Sequence, residues 1–292
     1  MIQYLYLGRI DYGEALRLQQ ELVALRQQGR IDNLLLLLEH PPVLTLGRNA
    51  SRSNVLASDE LLAARGVALY EINRGGDVTY HGPGQLIGYP IFDLRSLRNG
   101  KGGRPGPVDF VRLMEEALIR LCGAYGVRAG RICGLTGVWC APREGVLEES
   151  CSMKASDPPH GERKIAAIGI HVSRGVTSHG FAFNVTTDLR DFRLINPCGI
   201  TDRPVTSLNL EVAEPEKLPR LEAIAHQAAR LFGQVFGEQV LALESLAALR
   251  AIGCNASVQE SAAPQFPAQD TPLQVPGEVE RLLNPKSRPL NA

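Results

Sequence analysis

No stretch of this 292-residue chain approaches the roughly 20 consecutive apolar residues that span a bilayer. The opening residues, M-I-Q-Y-L-Y-L-G-R-I-D, lack the basic start and long apolar core of a secretory leader. Neither sign of charge is in excess, with 31 basic and 31 acidic residues, and no basic stripe marks a nucleic-acid surface. Six cysteines in a chain of this length, without a leader, fit cytosolic thiols better than a disulfide framework. No G-x-G-x-x-G joins a strand to a helix, and no G-x-x-x-x-G-K-[ST] is present. A G-x-S-x-G elbow is missing as well, which leaves a serine triad without support. Zinc needs a compact ligand set. Cys133, Cys140, Cys151 and His160 contain no C-x-x-C pair and are irregularly spaced, so loop or strand-end thiols are expected and no metal.

What the chain does have is 44% hydrophobic residues, enough for a sizeable core, and one unusual stretch. Arg74 to Pro90, R-G-G-D-V-T-Y-H-G-P-G-Q-L-I-G-Y-P, packs five glycines among polar and charged side chains. Such density suits backbone that turns tightly or lies close to something else. A hairpin with a polar tip is one reading; a substrate loop leaning on the strand Gln85–Phe92 is the sharper one. Before it, Ile2–Leu7 reads as a strand and Asp11 caps a helix, with Glu14 as its capping-box partner and Gly29 as its stop. Five leucines in a row, within Asn33–Glu39, predict a strand buried on both faces. Val43–Leu46 and Val67–Ile72 are further strands, and Ser58 caps a short helix closed by Gly66. Arg95–Pro107 reads as an exposed loop, and Asp109 as the start of a helix to Tyr125. Gly137-Val138-Trp139 is a short strand. Lys164–Val172 and Thr177–Val185 form a hairpin around Ser173-Arg174-Gly175. Thr186–Pro204 is irregular, Leu221–Phe236 an amphipathic helix and Ser245–Ala251 a shorter one. Intermixed strands and helices, with hairpins as well as crossovers, predict a mixed-sheet α/β or α+β domain.

Two residues suggest covalent chemistry. Cys198, in I-N-P-C-G-I, is held in a turn by its neighbours, where a thiol can react if its pKa falls; a small structural cysteine is the alternative. Lys164 opens a strand and is either a solvated end residue or a cation that favours a thiolate. His81, His171 and His179 are alternative bases, the first and last flanked by glycine, the middle one set in an apolar strand.

Four separated blocks then carry a resemblance. They are H-P-P-V-L-T-L-G-R (His40–Arg48), the Arg74–Pro90 stretch, K-I-A-A-I-G-I-H-V-S-R-G-V-T-S-H-G-F-A-F-N-V (Lys164–Val185), and N-P-C-G-I with V-T-S-L (Asn196–Ile200, Val205–Leu208). Over about Tyr4 to Val212 the chain resembles the lipoyl(octanoyl) transferases, which have the biotin/lipoate ligase-like fold. The resemblance implies transfer of an octanoyl group from octanoyl-acyl carrier protein to a lysine of a lipoyl domain, in 2-oxoacid dehydrogenase complexes or the glycine-cleavage carrier protein. It implies a cytoplasmic enzyme with no cofactor and no ATP. Cys198 would be the acyl-thioester nucleophile and Lys164 its proton shuttle. Arg74, Gly75, Gly76, Asp77, Val78, Thr79, Tyr80 and His81 would line the acyl site. So would Ala167, Ile168 and Gly169 with Gly180, Phe181 and Ala182. Glycines 75, 76, 169 and 180 would leave room for a linear acyl chain. An ATP-dependent lipoate or biotin ligase, or a lipoyl-domain amidotransferase, are the alternatives on the same fold. The expected organisation is a catalytic domain over 1–212 with a loop insertion at 141–162, a helical extension over 213–253, and a flexible tail over 254–292.

Overall fold

The computed structural model describes residues 1–98, 103–141, 161–196 and 203–249. They form an eight-stranded mixed sheet with helices on both faces, and a three-stranded sheet beside it. The mixed α/β class expected from the sequence is the one observed.

The large sheet is built around the leucine run. Strand β2 (Asn33–Glu39) is buried along its whole length. Side chains alternate between faces along a strand. Leu35 and Leu37 therefore enter one core, and Leu34, Leu36 and Leu38 the other. Strand β1 (Ile2–Arg9) pairs parallel with β2, and β6 (Gln85–Ile91) pairs antiparallel on its other side. The sheet continues through β10 (Val176–Asn184), β9 (Arg163–Ser173), β8 (Leu135–Cys140) and β7 (Ala129–Ile132). Helix α1 (Tyr12–Gln27) covers the face of Leu34, Leu36 and Leu38. Helices α3 (Pro107–Ala124) and α5 (Leu221–Phe236) cover the opposite face, where Phe92, Phe110, Phe232 and Phe236 meet edge to face and stacked.

The small sheet consists of β3 (Val43–Leu46), β4 (Ala68–Glu71) and β5 (Val78–His81), with β3 central. A short helix α2 (Asp59–Ala64) packs Leu62 into its core. Strand β5 belongs to this sheet while β6, three residues on, belongs to the large one. The glycine-rich stretch is therefore a bridge between two sheets and not a hairpin. Its crossover is pinned at Gly84, where φ is +80° and a Cβ would fall 2.6 Å from Thr186 Oγ1. Gly84 N–H donates to Glu39 Oε2 at 2.8 Å, and its carbonyl accepts from the amides of Val185 and Thr186.

Three details differ from the sequence expectation. Helix α3 starts at Pro107, ahead of Asp109, because Asp109 is the third helical residue and its carboxylate accepts from Gly106 N–H at 3.0 Å. Strand β7 and a final strand β11 (Val240–Ala242), which pairs parallel with β1, were not expected; both are too short to show a period. Within the irregular segment after β10, Leu189–Leu194 forms a 3₁₀ helix, followed later by the four-residue helix α4 (Leu208–Glu211). Most of the expected 141–162 insertion, and the tail from residue 254, lie outside the described residues.

Candidate active site

The bridging stretch sets up a cavity of about 530 Å³ where the two sheets meet. Its walls come from the loop after β4, from β5 and β6, and from the facing strands β9 and β10. That volume lies within the range of small-molecule sites.

Arg74 holds the loop in place. Arg74 is 8% exposed, and its guanidinium donates to the carbonyl of Thr45 at 2.7 Å, to Thr45 Oγ1 at 3.0 Å and to the carbonyl of Gly75 at 3.0 Å. On the other side Gly75 N–H donates to the Ile170 carbonyl of β9 at 2.9 Å. A Cβ on Gly169 would stand 2.6 Å from the Gly75 carbonyl, and one on Gly180 would stand 2.1 Å from the Gly88 carbonyl. The space left by glycines 75, 169 and 180 is therefore filled by neighbouring backbone. They allow the walls of the cavity to approach one another, where the sequence suggested room for a ligand. Gly76, at φ +90°, is needed for its backbone conformation.

A chain of hydrogen bonds runs from Arg74 across the floor. Arg74 donates to Thr45 Oγ1, and that hydroxyl lies 3.5 Å from His81 Nε2. His81 Nδ1 donates to Gln85 Oε1 at 2.8 Å, and Gln85 Nε2 donates to Asn184 Oδ1 at 2.8 Å. Asn184 in turn donates to the carbonyl of Thr206 at 2.9 Å. Burial, reinforced by nearby His40, pushes His81 down to about 3, so the imidazole is neutral. His179 is likewise held down to about 3 by burial and by the Arg74 charge. It is one of two non-glycine residues with positive φ (+54°) among those described. Its Nε2 bonds Asn73 Oδ1 at 2.7 Å, and its backbone N–H donates to Gln19 Oε1 at 2.8 Å. His40, behind the cavity, is lowered to about 4 by burial; its Nδ1 donates to the Ile10 carbonyl while Nε2 accepts from Tyr89.

Lys164 reaches the same cavity from the start of β9. Its ammonium nitrogen lies 4.6 Å from the centroid of the Trp139 ring. Its backbone N–H donates to Pro204 and its carbonyl accepts from Thr206 N–H, both at 2.9 Å. Arg203, beside it, is paired with Glu162 at 3.9 Å, both buried.

Of the expected lining residues, Arg74 to Thr79, His81, Ala167 to Gly169 and Gly180 to Ala182 all border the cavity with Lys164. Tyr80 does not. Strand alternation turns its ring into the core of the small sheet, where its hydroxyl donates to Asp191 at 2.9 Å. His171 is also absent from the cavity wall. Cys198 lies outside the described residues, as do Cys151 and His160. No group of three or more metal-ligating side chains occurs among the described residues. Cys140 is buried, which pushes its thiol up to about 12. Sequence reading missed Tyr12, Gln85, Tyr89, Trp139, Asn184 and Val205 as wall residues. Gln85 and Tyr89 sat within the glycine-rich stretch itself; Trp139 was detectable only through a strand pairing that sequence does not reveal.

Comparison with known proteins agrees with this architecture. Residues 11–229 match the family model "Lipoyl protein ligase A/B catalytic domain". A protein of Acidobacterium capsulatum named octanoyltransferase is 61% identical over 84% of this chain and 94% of its own length. An octanoyltransferase of Koribacter versatilis is 54% identical over 84% of this chain and 88% of its own. Among solved structures, the bipartite lipoate protein ligase of Thermoplasma acidophilum superposes with a TM-score of 0.59 at 16% identity, covering 87% of this chain and 91% of its own. Lipoate-protein ligase A bound with ATP gives the same score and identity. At such identity these two show the fold alone.

Proposed function

This chain belongs to the lipoyl protein ligase A/B catalytic-domain family, among its octanoyltransferases; on that premise we propose that it moves an octanoyl group from acyl carrier protein to a lipoyl-domain lysine through a thioester on Cys198. The observation that carries the reading is the place of Lys164. Its side chain enters the cavity, and its backbone is bonded on both sides to the segment Pro204–Thr206. Asn196, two residues before Cys198, donates its N–H to the carbonyl of Asn54, and Asn54 holds Asp77 of the cavity wall.

In the first half-reaction the Cys198 thiolate attacks the carbonyl carbon of the carrier thioester. The bond to the pantetheine sulfur breaks, and that sulfur takes a proton from the Lys164 ammonium. In the second, the acceptor amine attacks the acyl-enzyme, the thiolate leaves, and neutral Lys164 accepts the amine's proton. Thioester exchange is nearly balanced and amide formation is downhill, so no nucleotide is consumed. The neutral imidazoles of His81 and His179 do not compete for the proton, because burial holds both near 3. The apolar walls, among them Val78, Ile168 and Phe181, suit a saturated acyl chain.

The test is transfer without nucleotide. Enzyme, octanoyl-carrier protein and a recombinant lipoyl domain are incubated, and the acceptor lysine is mapped by peptide mass. Octanoylation without ATP is expected. Octanoylation only from free octanoate and ATP would assign the chain to the ligase reaction.

A further inference from the structure

Trp139 and Lys164 stand opposite one another on adjacent antiparallel strands, β8 and β9. An uninterrupted ladder would not pair them. Val138 faces Ala166, and the next step of a regular pairing would set Trp139 against Ile165. The register slips by one residue at this point, so Trp139 meets Lys164 instead. A one-residue slip exchanges the two faces of a strand. Here it keeps Ile165 in the core and places Lys164 on the face of the indole.

The slip is held from behind the sheet. Gly137 has φ +127°, and a Cβ there would fall 2.6 Å from the Ala166 carbonyl. Its N–H donates to Oε1 of Glu115, a fully buried carboxylate of α3, at 3.1 Å. The other oxygen of Glu115 accepts from Arg112 at 2.7 Å and from Arg131 at 3.1 Å, which balances its charge. The Lys164 stem passes over Gly137, with Cε 3.5 Å from where a Cβ would be. Among the described residues, the other charged groups of the cavity wall are Arg74, Asp77 and Arg203, the last paired with Glu162. The negative face of the indole attracts the ammonium that lies over it.

We propose that Trp139 is a positioning residue for acyl transfer: its ring seats the Lys164 ammonium at the cavity wall, and Gly137 and Glu115 fix the ring. The proposal rests on Lys164 being the proton donor of the first half-reaction. Trp139 is the single tryptophan of the chain. Biosynthetic replacement by mono-, di- and trifluorotryptophan therefore alters this ring alone. Fluorination drains the negative face while nearly preserving shape, so a role in packing would leave the readouts unchanged.

Two readouts are taken on the same proteins, after urea unfolding has shown them equally folded. The first is the rate of acyl-enzyme formation from octanoyl-carrier protein, by intact mass. It should fall stepwise, by roughly tenfold over the series, the scale of a desolvated cation–π contact. The second needs no acyl substrate. The rate at which a small amine reagent modifies Lys164 is mapped by peptide mass, with exposed Lys217 as reference. It should rise stepwise as the ammonium is released, with Lys217 unchanged. A flat series in both readouts overturns the proposal. A graded Lys164 rate with no acyl-enzyme in any protein would uphold the seat and remove the transfer reading beneath it.

Discussion

At the scale of single residues, the cavity is notable for groups kept uncharged. His81 and His179 are held near 3 and His40 near 4, in each case chiefly by burial. An unfolded histidine titrates near 6.5. Between about pH 6.5 and 4 the unfolded chain therefore binds protons that the folded chain refuses. Stability must fall as pH falls through that window, by up to about 1.4 kcal/mol per pH unit for each histidine. Urea midpoints measured from pH 7.5 to 4.5 should drop accordingly, and a midpoint independent of pH would contradict this. Lys164→Met should leave the midpoint at pH 7.5 nearly unchanged, because its partly exposed side chain contributes little core, yet slow acyl-enzyme formation at least a hundredfold, the usual scale of a proton-transfer group. Comparing the unfolding midpoint with the acylation rate of that variant checks both halves. Cys198 and Lys164 were both legible as candidates, since turn context and strand position suggest them. Neither residue type nor spacing revealed that Tyr80 turns away while Thr79 and His81 turn in.

At the scale of elements, the glycines of the Arg74–Pro90 stretch and of β9 and β10 matter as points of close approach. Gly169→Ala places a methyl 2.6 Å from the Gly75 carbonyl, so the loop must leave β9. A cost of about 1–3 kcal/mol is expected from such overpacking. Because the displaced loop is the cavity wall, KM for the octanoyl donor should rise more than kcat falls. Unchanged kinetics with an unchanged melting temperature would contradict the close approach. The leucine strand, the hairpin of β9 and β10 and helix α5 were legible because each has a clear period or a sharp turn signal. The role of the glycine stretch as a crossover between sheets was not. Strand β5 pairs with β3, some 35 residues earlier, and that pairing is set by tertiary contact. The slip between β8 and β9 was invisible for the same reason, since register belongs to a pair of strands.

At the scale of the whole molecule, the cavity depends on parts far beyond the matched motifs. Helix α5 buries Ile224, Ala225, Phe232 and Phe236 against the same core as β6 and β9. Strand β11 closes the far edge of the sheet on β1, and Leu249 is fully buried in the core under α1. Phe232→Ala should cost about 3–5 kcal/mol, measured by urea unfolding. A chain ending at residue 253 should keep full transfer activity, while one ending at residue 212 should not fold. The overall class and the family were readable from the sequence, because buried strands and four ordered motif blocks survive without tertiary information. The measurement that tests the central claim most directly is capture of the acyl-enzyme. The protein is mixed with octanoyl-carrier protein in the absence of acceptor, quenched in acid, and examined as intact mass and as peptides. One octanoyl group, labile to hydroxylamine and located on Cys198, is predicted, with none on Cys198→Ala. An octanoyl group that persists in Cys198→Ala, or that maps to another residue, would contradict the account.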